Sequence, residues 1–140
     1  GRVAFFTAII ATLLTYRNRS IRVEVDDEPF AEGRMNGVIV ANGRYFGSGL
    51  QPAPEARLDD GLLDVVVFGD VSPPGALASM GKLRTGEHLA HPKVSHTQGR
   101  SLVATSEEEV LAEMDGELVG TLPMRATLLP GLLSVRVLAA

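Results

Sequence analysis

The first periodic segment of the chain is helical. Phe5, Ile9, Thr12, Leu13 and Tyr16 recur every three or four positions, which predicts an amphipathic helix over residues 2–16. Its apolar stripe is read as core rather than as a membrane-binding face. The period then changes to two. Ile21, Val23 and Val25 alternate with Arg22 and Glu24, the mark of a half-buried strand. Asp26-Asp27-Glu28-Pro29 is polar and turn-prone, and residues 37–41 supply a second short apolar strand. A glycine-containing loop over 42–49 runs on through Gln51-Pro52-Ala53-Pro54. Residues 62–68 form a nearly unbroken apolar run, expected of a central strand covered on both faces.

Ser72-Pro73-Pro74 opens a predicted helix over 75–83 that stops before Gly86. Ser72 would cap it, and the prolines stand where a missing N–H is harmless. Further strands are expected at 102–105, 110–114 and 124–129. Pro130-Gly131 suits the two central positions of a tight turn, after which 132–138 returns as the last strand. About seven strands and two helices, with no βαβ alternation, predict a mainly antiparallel, two-layer β-sandwich with two peripheral helices.

Composition narrows the class. The 140 residues are 45% apolar, enough for one domain with its own core. A net charge of −4 and the lack of a basic patch exclude nucleic acid as a partner. Cysteine is absent, so disulfides and thiolate metal sites are excluded, in keeping with a cytoplasmic location. The longest apolar stretch, residues 3–14, falls short of the ~20 residues that span a bilayer. It leads into Tyr16-Arg17-Asn18-Arg19 rather than a small-residue cleavage site, so it is not read as a secretory signal. The chain starts at Gly1, without an initiator Met and already inside the predicted helix, as expected of a fragment.

Four segments carry candidate chemistry, and each has a plainer reading. Asp59-Asp60-Gly61 stands before the buried strand. Paired aspartates at a turn bind hard cations with help from neighbouring carbonyls; alternatively Asp59 caps the turn and Gly61 supplies a positive φ. Asp115-Gly116-Glu117 follows a predicted strand. If the backbone is extended there, the two carboxylates share a face and can take a proton from a hydroxyl or hold a magnesium-bound phosphate. The plainer reading is a solvated hairpin turn. Gly86-x-His88-x-x-His91-Pro92 has two histidines, but His96 is the one remaining histidine and there are no thiols. Loop packing is the simpler role. Asn42-Gly43-Arg44-Tyr45-Phe46-Gly47-Ser48-Gly49 matches neither a dinucleotide fingerprint nor a Walker loop, and in its plainer reading the three glycines fold a tight loop at a cleft edge.

The order of these segments carries more than any one of them. Asn42-Gly43 with Gly47 and Gly49, then Pro54-x-Ala56-x-Leu58-Asp59-Asp60-Gly61-Leu62-Leu63-Asp64, then Gly86-x-His88-x-x-His91-Pro92, then Asp115-Gly116-Glu117 resembles the C-terminal domain of the diacylglycerol kinases. That family includes soluble bacterial lipid kinases and is related to the sphingosine and ceramide kinases; the likeness runs over about residues 21–137. It implies that residues 1–140 are the C-terminal β-sandwich of an ATP-dependent lipid kinase. The nucleotide loop of Gly-Gly-Asp-Gly-Thr type belongs to an N-terminal domain and is absent from this sequence. The fragment alone is therefore expected to be inactive.

The resemblance makes Glu117 the general base toward a lipid hydroxyl and places Asp115 beside it. It also implies a structural Mg2+ held by Asp60 and by the main-chain carbonyls of Arg57 and Leu62. The implied partners are a diacylglycerol-like lipid, ATP and the N-terminal domain, with peripheral contact to a membrane. Gly47-Ser48-Gly49 departs from the family's usual glycine run, which leaves the role of that loop open. Two other classes stay in view: a non-catalytic lipid-binding or regulatory sandwich, and a relative of NAD kinase.

Overall fold

The alternation at residues 21–25 becomes strand β1, Arg19–Val25, in a computed structural model that describes residues 16–47 and 49–134. Ile21, Val23 and Val25 are buried, while Arg22 and Glu24 face outward. β1 turns back into β2 (Glu28–Met35) through Asp26 and Asp27, whose φ values are 51° and 64°. Two left-handed central residues match the twist of an antiparallel pair, and aspartate tolerates that conformation better than most residues. The expected polar turn over 26–29 is thus only two residues long.

β2 itself was not anticipated, because Glu-Pro-Phe-Ala-Glu-Gly-Arg-Met shows no period-two apolar pattern. It is an edge strand in the order β2-β1-β6-β9, with β6 at Ser101–Thr105 and β9 at Met124–Thr127. An edge strand pairs on one side only and tolerates Pro29. A bulge between Val23 and Glu24 sets Glu24 opposite Pro29.

A second antiparallel sheet has the order β3-β4-β5, with β3 at Gly37–Ala41, β4 at Leu63–Phe68 and β5 at Val94–Gly99. β5, Val-Ser-His-Thr-Gln-Gly, is also a polar edge strand that hydrophobic periodicity misses. The two sheets pack face to face. Val65 and Val67 of β4 share one buried cluster with Ile21, Val23, Val25, Met35, Leu102 and Ala104. On the other face of β4, Val66 is covered by Ala53 and Ala56. Burying a valine side chain contributes about 1.5–3 kcal/mol, and β4 does so on both faces. This explains the unbroken apolar run at its centre and bears out the sandwich expectation.

One member of the run is not apolar. Asp64 is 1% exposed, and its carboxylate accepts hydrogen bonds from His96 Nε2 at 2.8 Å and Gln98 Nε2 at 3.2 Å, both on neighbouring β5. A buried carboxylate without such partners would be strongly unfavourable.

Helix α1 covers Pro73–Ser79, shorter than the expected 75–83. Ser72 stands at the N-cap position in extended conformation, but its side chain makes no capping hydrogen bond. After Met80 and Gly81 the chain tightens into a 3-10 turn at Lys82–Arg84, then a second at Glu87–Ala90. Glycine is a poor helix former, so α1 has little reason to extend through Gly81. Strands β7 (Leu111–Met114) and β8 (Glu117–Thr121) form a separate two-stranded hairpin, so 110–114 has a partner strand that the sequence reading lacked. The predicted helix over 2–16 lies outside the described residues save for Tyr16. Residues 132–134 are not strand, and 135–138 lie outside the described residues.

Candidate active site

Three stretches place the candidate residues: the turn over 57–62, the 51–56 segment beneath it, and the β7–β8 hairpin. In the turn, Gly61 has φ 73°, and the Leu62 N–H donates to Asp60 Oδ1 at 2.9 Å. Asp60 is therefore the residue that closes the turn, whereas the plainer sequence reading gave that task to Asp59. Asp59 instead accepts from Arg57 Nε at 3.3 Å in an exposed ion pair, which solvent screens.

The 51–56 segment is held from below. Gln51 N–H donates to the Leu83 carbonyl at 2.6 Å, and His88 Nε2–H donates to the Pro52 carbonyl at 2.8 Å. Ala53 and Ala56 are buried against Val66. From the preceding loop, Arg44 Nε donates to the Ala56 carbonyl at 3.0 Å. Ser48 of that loop lies outside the described residues, and Phe46 and Leu50 close it with a pair of backbone hydrogen bonds.

Asp115 and Gly116 are the two central residues of the β7–β8 turn, with φ of 50° and 90°, and Met114 pairs with Glu117. The chain reverses between the two acidic residues, so the extended-strand argument for a shared face does not hold. Glu117 instead shares a hairpin face with Met114, opposite it, and with Ala112, two residues before Met114. Ala112 is buried, and the Leu122 N–H donates to the Val110 carbonyl at 2.9 Å where the hairpin joins the body. Both carboxylates are exposed at the tip. No hydrogen bond or ion pair among the described residues joins this tip to the 57–62 turn.

The histidines are not gathered into one centre. His88 stacks on Phe68 with ring centroids 5.7 Å apart, His91 Nδ1 accepts from Lys93 N–H, and His96 serves Asp64. Loop packing, the simpler sequence reading, is what His88 does. Among the described residues no group of three or more His, Cys, Asp or Glu is placed to hold a metal ion. A shallow depression lined by Arg22, Glu24, Pro29, Phe30, Ala31 and Glu32 contains none of the candidate residues.

Residues 1–137 match the profile of the YegS C-terminal NAD kinase beta sandwich-like domain. The chain belongs to this family. Among curated relatives of the YegS-type domain, a diacylglycerol kinase of Staphylococcus carnosus is 28% identical over 127 residues, 88% of this chain and 40% of the relative. A Stenotrophomonas maltophilia protein named "Probable lipid kinase YegS-like" is 33% identical over 135 residues, 94% of this chain and 42% of the relative. A solved structure of a candidate diacylglycerol kinase from Bacillus anthracis superposes with a TM-score of 0.72 at 25% identity, covering 92% of this chain and 44% of that one. The chain thus spans about two fifths of the length of the relatives it matches.

The donor set of the 57–62 turn suits the cation that the YegS-type resemblance implies. Asp60 spends one carboxylate oxygen on the Leu62 N–H and keeps a second, and the main-chain carbonyls of Arg57 and Leu62 lie in the same turn. Carboxylate and carbonyl oxygens are the ligands that hard divalent cations take, with water completing the shell. The Arg57 guanidinium cannot be a ligand, and it is directed to Asp59. Periodicity gave no sign of two groups that shape this region: Asp64, whose partners lie 32 and 34 positions away, and Arg44, which serves a main-chain carbonyl.

Proposed function

We propose that this YegS-type domain is the C-terminal half of an ATP-dependent kinase that phosphorylates a hydroxyl of a diacylglycerol-like lipid. The observation that carries the reading is the tip of the β7–β8 hairpin, where Asp115 and Glu117 stand exposed within a domain whose relatives bear lipid-kinase names. A carboxylate that has no hydrogen-bonded partner among the described residues is available to take a proton from an alcohol.

In this reading Glu117 accepts the proton of the lipid hydroxyl as its oxygen attacks the γ-phosphorus of ATP, and the bond to ADP breaks. Asp115 orients the hydroxyl. Phosphoryl transfer depends on positioning and on neutralising phosphate charge, so the nucleotide has to be brought by an N-terminal domain of the same protein. Asp60 and the carbonyls of Arg57 and Leu62 would hold a Mg2+ ion whose chemistry is to order the turn and offset local negative charge. No helix among the described residues is long and apolar enough to cross a membrane, and the proposed protein meets its lipid from the cytoplasm through peripheral contact.

The test uses the full-length protein with radiolabelled ATP and a panel of lipid alcohols. Glu117→Gln is expected to lower turnover by roughly 10²–10⁴ while melting temperature and ATP binding stay near wild type. Near-normal turnover would remove Glu117 from the role of base. A wild-type protein that labels no lipid would favour the non-catalytic sandwich.

A further inference from the structure

Two motifs have no role in the mechanism above: the loop with Asn42-Gly43-Arg44, and Gly86-x-His88. Both close on the same stretch of backbone. Arg44 Nε donates to the carbonyl of Ala56, the residue directly before Arg57. His88 Nε2–H donates to the carbonyl of Pro52 at 2.8 Å, at the other end of the segment. Gly86 makes the approach of its own segment feasible: it has φ 79°, and a Cβ there would lie 2.9 Å from Pro54 Cβ. The Gln51–Leu83 hydrogen bond adds a further tie. Gly86 therefore abuts Pro54 while His88, two residues on, ties Pro52, and Arg44 holds the far end of the segment at Ala56.

The state of the His88 ring distinguishes a clamp from filler. His88 is 1% exposed, and its Nδ1 has no partner among the described residues. Because the Pro52 carbonyl can only accept, Nε2 carries the proton and Nδ1 is left as a buried, unpaired acceptor, which is costly. Phenylalanine would stack on Phe68 without that cost. What histidine adds is the Nε2–H that reaches Pro52.

We infer that Arg44 and His88 are positioning residues that hold the 51–56 backbone in place and thereby set the geometry at which Arg57, Asp60 and Leu62 meet a divalent cation. This rests on the cation reading of those three residues.

The experiment is a Mg2+ titration of the melting temperature of the full-length protein, which reads cation binding without turnover. Wild type is expected to melt higher as Mg2+ rises, and Asp60→Asn to lose the response. His88→Phe should raise the Mg2+ concentration at the midpoint roughly tenfold, and Arg44→Ala about threefold, in line with the loss of one hydrogen bond each. His88→Gln, which can restore the donor, should return the midpoint to within about twofold of wild type. Unchanged midpoints in His88→Phe and Arg44→Ala overturn the clamp and leave the cation site standing. A His88→Phe shift that glutamine does not reverse assigns the ring to packing and also overturns His88's part. A wild type indifferent to Mg2+, or an Asp60→Asn protein that still responds, brings down the cation reading and the clamp together. If His88→Phe does not fold, Arg44→Ala decides, because Arg44 is exposed and its removal leaves the core untouched.

Discussion

At Asp26 a single carboxylate ties two turns together. It accepts the N–H of Arg100 at 2.9 Å and of Ser101 at 2.8 Å, and the Ser101 hydroxyl at 3.2 Å, so the β1–β2 turn is fastened to the β5–β6 turn. The Ser101 N–H foremost, then that of Arg100, holds the Asp26 carboxyl below its usual range. Glu108 is lowered in the same direction, first by the Ser20 N–H and then by Arg19. A depressed carboxylate stabilises the fold at pH above its unfolded value and loses that contribution as pH falls through the folded one. Asp26→Asn should therefore lower stability at neutral pH, measured by denaturant unfolding, and its difference from wild type should shrink as pH falls through the folded value of Asp26. A difference that stays the same across the acid range would show that the ties matter only as neutral hydrogen bonds. Beside it, Gly99 has no room for a side chain: a Cβ would collide with Val25 Cγ1 and sit 2.9 Å from Asp26 Oδ2. Gly99→Ala is expected to cost about 1–3 kcal/mol in denaturant unfolding. Neither residue was singled out by sequence, since each acts on a partner more than 70 positions away.

Among the elements, the strands that bury an apolar face were legible and the polar edge strands were not. β1 and β4 announce themselves through Ile21/Val23/Val25 and Val65/Val66/Val67, whereas β2 and β5 are recruited by backbone pairing to a neighbour and carry no pattern of their own. The same limit applied at the candidate site. The order of Asp60-Gly61 and Asp115-Gly116-Glu117 could be read directly, and the reversal at Asp115-Gly116 is the solvated hairpin turn of the plainer reading, but strand β8, with which the turn pairs β7, was not foreseen. That hairpin also bears exposed Leu111, Met114, Leu118 and Val119, and two strands alone are seldom stable in water. The turn is its weak point. A Cβ on Gly116 meets nothing within 4 Å, so the cost of Gly116→Val is backbone strain at φ 90°, on the order of 1–2 kcal/mol. In the full-length protein this change should reduce kcat/KM at least roughly tenfold, while the melting temperature moves little. Unaltered kcat/KM would detach the shape of the tip from the proposed chemistry.

At the scale of the molecule, stability should be graded outward from β4. Its central residues are covered on both faces, and the β7–β8 hairpin is largely exposed. Hydrogen exchange is expected to be slowest at residues 65–67 and fastest, among the strands, at 112–120. Equal protection in the hairpin would mean that something covers it in solution. The sandwich also imposes an order of events on synthesis. Arg22 pairs with Thr105 and Val25 with Leu102, so the inner edge of β1 has no mate until most of the chain has left the ribosome. Until then β1 and β2 wait as a lone ribbon with one sticky flank, open to the wrong neighbour. Distant pairing of this kind makes for slow maturation, and a nascent chain stalled before residue 100 would be a natural client for a chaperone.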